Sequence, residues 1–135
     1  MKIVVGYDGS EHAKRALAKA AALADGGEVY VVAGVHLTAP MGRSGGRGDE
    51  DPHEAAESDR ALDEAQAFLK GKGVKVTTVK GIGDPAKALV EQAQESGADL
   101  IVVGSRGLSG AERLTLGSVS THVVHHSPCD VLVVK

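Results

Sequence analysis

The stretch Lys2-Ile3-Val4-Val5-Gly6-Tyr7-Asp8-Gly9-Ser10 decides how the chain folds. Its first six residues are short, apolar and β-branched, which predicts a buried strand with no polar face. Asp8-Gly9-Ser10 then turns, and Ser10 is a good N-cap for a helix. Glu11 to Ala24 is dense in Ala, Leu and Lys, all strong helix formers. Ala13, Ala16, Leu17, Ala20, Ala21 and Ala24 share one helical stripe, and such small side chains let a helix sit close to a sheet. A buried strand feeding a helix through a capped turn is the repeating unit of a parallel α/β sheet.

The same alternation continues outward. Val29 to Val35 reads as a second buried strand. Residues 38–53 are glycine-rich, carry Pro40 and Pro52 and lack apolar periodicity, so a flexible loop is expected there. Residues 53–70 read as a helix with Leu62, Ala65, Phe68 and Leu69 on its inner face. Val74 to Val79 alternates as an edge strand does. Asp84 and Pro85 suit the N-cap and first turn of a third helix, which runs to about Ser96. Asp99 to Gly104 is a fourth strand. A glycine-rich segment, a helix from Ser118 to His126 and a fifth strand, Val131 to Val134, complete the chain. The β-α alternation predicts one domain over residues 1–135, a parallel sheet with helices on both faces. Ligands of open doubly wound sheets bind beyond the strand carboxyl ends, where the strand order reverses. That points to the segments following strands one, two and four.

Composition narrows the function. Of 135 residues, 42% are hydrophobic and 24% charged, as in a globular protein. The net charge of -3 gives no general attraction to nucleic acid, and three aromatic residues, Tyr7, Tyr30 and Phe68, are too few for base stacking. The apolar runs are too short to span a bilayer, and no apolar leader region opens the sequence; a cytoplasmic address is expected. A single cysteine, Cys129, forms no internal disulfide and reads as a buried, inert thiol.

The most informative chemistry lies in Gly104-Ser105-Arg106-Gly107 and, after nine further residues, Gly117-Ser118-Val119-Ser120. Glycines let backbone N–H groups approach phosphate oxygens, and Ser118 and Ser120 sit at the positive end of a helix. Arg106 adds a charge. Glycine-rich loops by themselves equally well just turn the chain. Gly81-Ile-Gly83-Asp-Pro-Ala86 imitates a dinucleotide fingerprint, but Asp84 would repel a pyrophosphate, so it reads as the start of a helix. His122, His125 and His126 have spacings that can hold a metal. A helix C-terminus favours histidine without one, and the structural reading is preferred. His12, His36 and His53 are too scattered to assemble from sequence. Lys70, Lys72, Lys75 and Lys80 read as a charged, protective sheet edge. There is no P-loop lysine motif and no Ser-His-Asp arrangement, which argues against an efficient phosphoryl-transfer enzyme.

The chain resembles the universal stress protein family along essentially its whole length. The resemblance rests on Ile3 to Ser10, Gly83-Asp84-Pro85, Asp99 to Gly107, the Gly104/Gly107/Gly117-Ser118 spacing and His126 to Val134. It implies an adenine nucleotide alpha hydrolase-like fold with strand order 3-2-1-4-5. It also implies an ATP-binding subtype, because both Gly107 and Gly117 are present. By that resemblance Gly104, Ser105, Arg106, Gly107, Gly117, Ser118, Val119 and Ser120 surround phosphates and ribose. Tyr7, Asp8, Gly9 and Ser10 border the site, and Asp8 meets the ribose or a phosphate-bound Mg²⁺. Either Gly34 or Val35 contacts the adenine, since Ala33-Gly34-Val35-His36 departs from the family's usual pair. Family members commonly form homodimers through the last strand, which implies pairing of Val131, Leu132, Val133 and Val134 with their copies. The expected role is regulatory, through nucleotide-dependent conformation and an unidentified protein partner. A slow Mg-dependent ATPase and a nucleotide-free interaction module are the rival readings.

Overall fold

A computed structural model describes residues 1–35, 37–38, 49–50, 52–105 and 117–135. In chain order the elements are β1 (Lys2–Gly6), α1 (Glu11–Ala24), β2 (Glu28–Val35), β3 (Leu37–Thr38), β4 (Asp49–Glu50), α2 (Pro52–Leu69), β5 (Lys75–Ile82), α3 (Pro85–Ser96), β6 (Leu100–Gly104), α4 (Ser118–His126) and β7 (Asp130–Val134). Five strands form one sheet in the order β5-β2-β1-β6-β7. Every pairing in it is parallel, with Val4 opposite Tyr30 on one side and Ile101 on the other. In chain order of these five strands that is 3-2-1-4-5, and the order reverses between β1 and β6, which leaves a crevice at their carboxyl ends.

Alternation along the strands divides the core in two. Ile3, Val5, Val29, Val31 and Val102 face α1 and α2, where Leu17, Ala20, Leu62, Ala65 and Leu69 meet them. Val4, Val32, Ile101 and Val103 face the other way, onto Leu89, Val90, Ala93 and Val123 of α3 and α4. Fully burying one such aliphatic side chain stabilises by about 1.5–3 kcal/mol, so both faces contribute. The alanine stripe of α1 is buried at Ala13, Ala16, Ala20 and Ala24. The caps fall where expected. Ser10 Oγ accepts from the Ala13 N–H at 3.2 Å, and Asp84 Oδ1 from the Ala86 N–H at 3.0 Å. Gly83 has φ +95° and Gly81 packs so near Ala88 that a Cβ would meet its methyl at 2.5 Å. The false dinucleotide fingerprint is thus a turn and a close helix–sheet contact.

Three expectations are corrected. Phe68 does not share the inner face of α2; it is 41% exposed, with the Lys72 ammonium 4.6 Å from its ring centroid. At roughly 100° per residue it lies about 120° round the helix from Leu62, while Leu69 lies almost in line with it. Residues 38–53 are not simply loop. Leu37–Thr38 and Asp49–Glu50 pair antiparallel, and α2 already begins at Pro52; residues 39–48 and 51 lie outside the described residues. Cys129 is half-buried, not buried, and its N–H donates to Ser127 Oγ. Among the described residues no helix is long and apolar enough to cross a membrane.

Candidate functional site

The crevice at the ends of β1, β2 and β6 opens into a cleft of about 540 Å³, within the range of small-molecule sites. Its two ends differ in chemistry. One end is mostly apolar: Val32 and Gly34 of β2 face Pro85 and Leu89 of α3, while Ala33 faces the α2 side, where Ala61 lies beside Ser58 and Glu57. The other is polar: Asp8, Gly104 and Ser105 face Gly117, Ser118 and Ser120 at the start of α4.

Backbone contacts build both ends. The Tyr7 N–H donates to Val32 O at 3.0 Å, which ties the end of β1 to β2. Gly34 is needed because a Cβ there would stand 2.7 Å from Pro85 Cβ. Its carbonyl accepts from Ser58 Oγ of α2 at 2.9 Å. Asp8 Oδ1 accepts from the Ser10 N–H at 2.9 Å, closing the turn through Gly9, whose φ is +83°. At the polar end the Gly117 N–H donates to Ser105 O at 2.8 Å, and Ser120 Oγ donates to Gly117 O at 3.1 Å. Gly117 is the N-cap of α4 and offers no side chain to bond the first-turn amides. An α-helix leaves its first N–H groups without intrahelical partners. Here they stand at the cleft wall, where an anion would be favoured by both the donors and the helix dipole.

Of the residues singled out from sequence, Tyr7, Asp8, Gly34, Gly104, Ser105, Gly117, Ser118, Val119 and Ser120 come together around this cleft. Gly9 and Ser10 stand behind Asp8 and shape the turn without forming the wall. Val35 closes β2 with its Cα opposite Ile82. Arg106 and Gly107 lie outside the described residues. Gly104 has a packing role as well as a place in the wall: a Cβ there would meet His12 Cβ at 2.8 Å.

Sequence reasoning missed the walls supplied by helices. Glu57, Ser58 and Ala61 of α2 and Pro85 and Leu89 of α3 reach the cleft only because the crossovers return these helices to it. No local signal marks them. His12, set aside as scattered, is brought to Ser105.

Beside the cleft, the proton affinity of Tyr7 is displaced. Burial, then the hydrogen bond from its hydroxyl to Glu64 and the charge of Glu64, raise the phenol well above the ordinary tyrosine range, with smaller pushes from Asp8 and Glu11. No cluster of three or more metal-ligating side chains occurs among the described residues. His122 and His126 stack with centroids 4.3 Å apart, and His126 Nδ1 lies 3.3 Å from His122 O.

The profile of the Universal stress protein family matches residues 1–135. A universal stress protein of Thermus aquaticus is 38% identical over 98% of this chain and 97% of its own length. One from Bacillus subtilis is 43% identical over 76 residues, 56% of this chain; the match spans 51% of that protein. Two solved structures are similar throughout. A universal stress protein in complex with cAMP has 32% identity and a TM-score of 0.77, over 100% of this chain and 97% of that one. One from Archaeoglobus fulgidus in complex with dAMP has 26% identity and a TM-score of 0.75, over 100% and 98%.

Proposed function

The chain belongs to the universal stress protein family, and from that premise we propose that it is a cytosolic regulatory protein that binds ATP with Mg²⁺ in the cleft between β1, β2 and β6. The observation that carries the reading is the start of α4. Its first turn has no side-chain cap and forms the polar wall of a cleft whose opposite end is apolar. A ligand with a flat apolar base at one end and anionic phosphates at the other matches that division. The two relatives solved with cAMP and dAMP support an adenine nucleotide.

The residues divide the work by chemistry. Gly34, Pro85 and Leu89 offer the adenine an apolar slot, while the Gly34 carbonyl is already held by Ser58. Ser118, Val119 and Ser120 present N–H groups and hydroxyls to the phosphates. Arg106 and Gly107 are assigned to the same end by the family spacing. Magnesium commonly takes one or two carboxylates and completes its shell with waters and substrate phosphates; of the two carboxylates that line the cleft, Asp8 and Glu57, Asp8 stands at the polar end and fits that role. The metal would neutralise phosphate charge next to that carboxylate. Bound nucleotide then changes the surface around the cleft that a protein partner reads. We further propose that the edge strand β7 pairs antiparallel with its copy to form a homodimer. Its outer edge pairs with no strand among the described residues, and its apolar residues are half-buried.

The test is to denature freshly purified, undialysed protein and identify what it releases by chromatography and mass. Release of ATP is the expected result. ADP or AMP would favour slow hydrolysis. An empty protein that also fails to bind added Mg-ATP would overturn the reading and leave a nucleotide-free interaction module.

A further inference from the structure

His12 occupies the second position of α1, where the helix passes nearest to the end of β6. The approach is close: a Cβ on Gly104 would lie 3.0 Å from the His12 carbonyl carbon and 3.1 Å from its oxygen. That proximity places His12 Nδ1 at 3.2 Å from Ser105 Oγ. Ser105 is 7% exposed and lines the polar end of the cleft.

The backbone of Ser105 is fixed on two sides. Its N–H donates to Val134 O at 2.8 Å, and its carbonyl accepts from the Gly117 N–H at 2.8 Å. With Oγ held against His12 Nδ1, the direction of the hydroxyl proton is the freedom that matters, and a hydroxyl has one proton to give. If His12 Nδ1 is bare, Ser105 donates to it and turns a lone pair toward the cleft. That polarity repels an anion. If Nδ1 carries a proton, Ser105 accepts it and its own O–H is released to the cleft, where it can donate to a phosphate oxygen. The tautomer of His12 therefore sets the polarity of Ser105.

We infer that His12 is a positioning residue for the phosphate end of the site: by donating Nδ1–H to Ser105 Oγ, it commits the Ser105 hydroxyl to the ligand's phosphate. This rests on the proposed nucleotide binding. Nothing in the sequence marks it, because positions 12 and 105 meet only through the sheet. Hydrogen bonds to charged groups are stronger than neutral ones, so a misdirected hydroxyl weakens binding measurably.

The experiment is calorimetric titration of wild type and variants with Mg-ATP, alongside ligand-free thermal melting. His12→Asn places an amide nitrogen where Nδ1 stood; His12→Leu fills similar space with no donor. Ser105→Ala removes the hydroxyl. From the usual worth of one hydrogen bond to a charged group, Ser105→Ala should weaken binding about tenfold; His12→Leu, which leaves the hydroxyl in place but undirected, should weaken it about fourfold, and the double variant no more than Ser105→Ala alone. His12→Asn should stay within about twofold of wild type. A space-filling role would instead favour Leu, so rescue by Asn separates the two. Wild-type affinity in His12→Leu overturns the inference, as does equal weakening in His12→Asn when both variants melt as wild type. A wild-type chain that binds no ATP overturns the nucleotide reading, and the inference falls with it.

Discussion

A Cβ placed on Gly34 would stand 2.7 Å from the Cβ of Pro85 and 3.3 Å from its Cα. The end of β2 therefore runs bare against the first turn of α3. A proline ring at a helix start cannot rotate aside, so the neighbour that must yield is backbone. Gly34→Ala should cost about 1–3 kcal/mol of stability through overpacking. It should also narrow the apolar end of the cleft and weaken adenine nucleotide binding. Thermal melting without ligand, followed by titration with ATP, reads the two effects separately. A variant that melts and binds as wild type would show that α3 shifts freely.

Asp8 has a structural and a proposed chemical role, and one substitution parts them. Asp8→Asn keeps an oxygen to accept from the Ser10 N–H, so the turn and the helix start survive. It loses the charge that would sit beside magnesium. The expected result is a melting temperature within about 0.5 kcal/mol equivalent of wild type, as for a substitution that spares its structural contact. Affinity for Mg-ATP should fall while affinity for metal-free ATP holds or rises. Equal affinity for Mg-ATP in both proteins would remove Asp8 from the metal's surroundings.

Tyr7 gives a prediction with a definite sign. The folded chain holds its phenolic proton beyond the pH at which an unfolded tyrosine loses it, because burial and Glu64 disfavour the phenolate. The stability this contributes is intact below about pH 10 and is lost as pH climbs above that value. A Tyr30→Phe variant leaves Tyr7 as the sole tyrosine. Its tyrosinate absorbance should stay flat until circular dichroism reports unfolding. Adding Glu64→Gln should bring ionisation to lower pH. A simple titration near pH 10 with the fold intact would contradict the burial and pairing described.

The dimer proposal is tested at the backbone. Val134 O accepts from the Ser105 N–H, so the peptide groups of Val134 and Leu132 face β6 and those of Val131 and Val133 face outward. Val133→Pro removes only an outward N–H, where proline is tolerated on an edge strand. Light scattering at micromolar concentration should give a dimer mass for wild type and a monomer mass for this variant, with unchanged circular dichroism. A monomeric wild type refutes the pairing.

Much of the fold is legible because each element carries its own signal. The apolar runs at Ile3, Val29 and Ile101, the alanine stripe of α1 and the caps at Ser10 and Asp84 are local facts. Phe68 misleads because an aromatic residue beside a core position looks like core in one dimension. The site is legible only where it lies on loops after strands. The glycine spacing finds Gly104, Gly117 and Ser118, and the first turn finds Asp8. Ser58, Pro85 and Leu89 carry no such mark, since each reaches the cleft on a helix that packs back against the sheet, and His12 meets Ser105 only because α1 lies against the end of β6.

The carbonyl of Ser105 has a consequence for how this protein can change. It accepts from the Gly117 N–H at 2.8 Å, so the chain leaving β6 and the chain beginning α4 are knotted together at one atom. The end of β6 and the start of α4 are thereby tied to each other through backbone alone, a tie that no side-chain substitution other than proline removes directly.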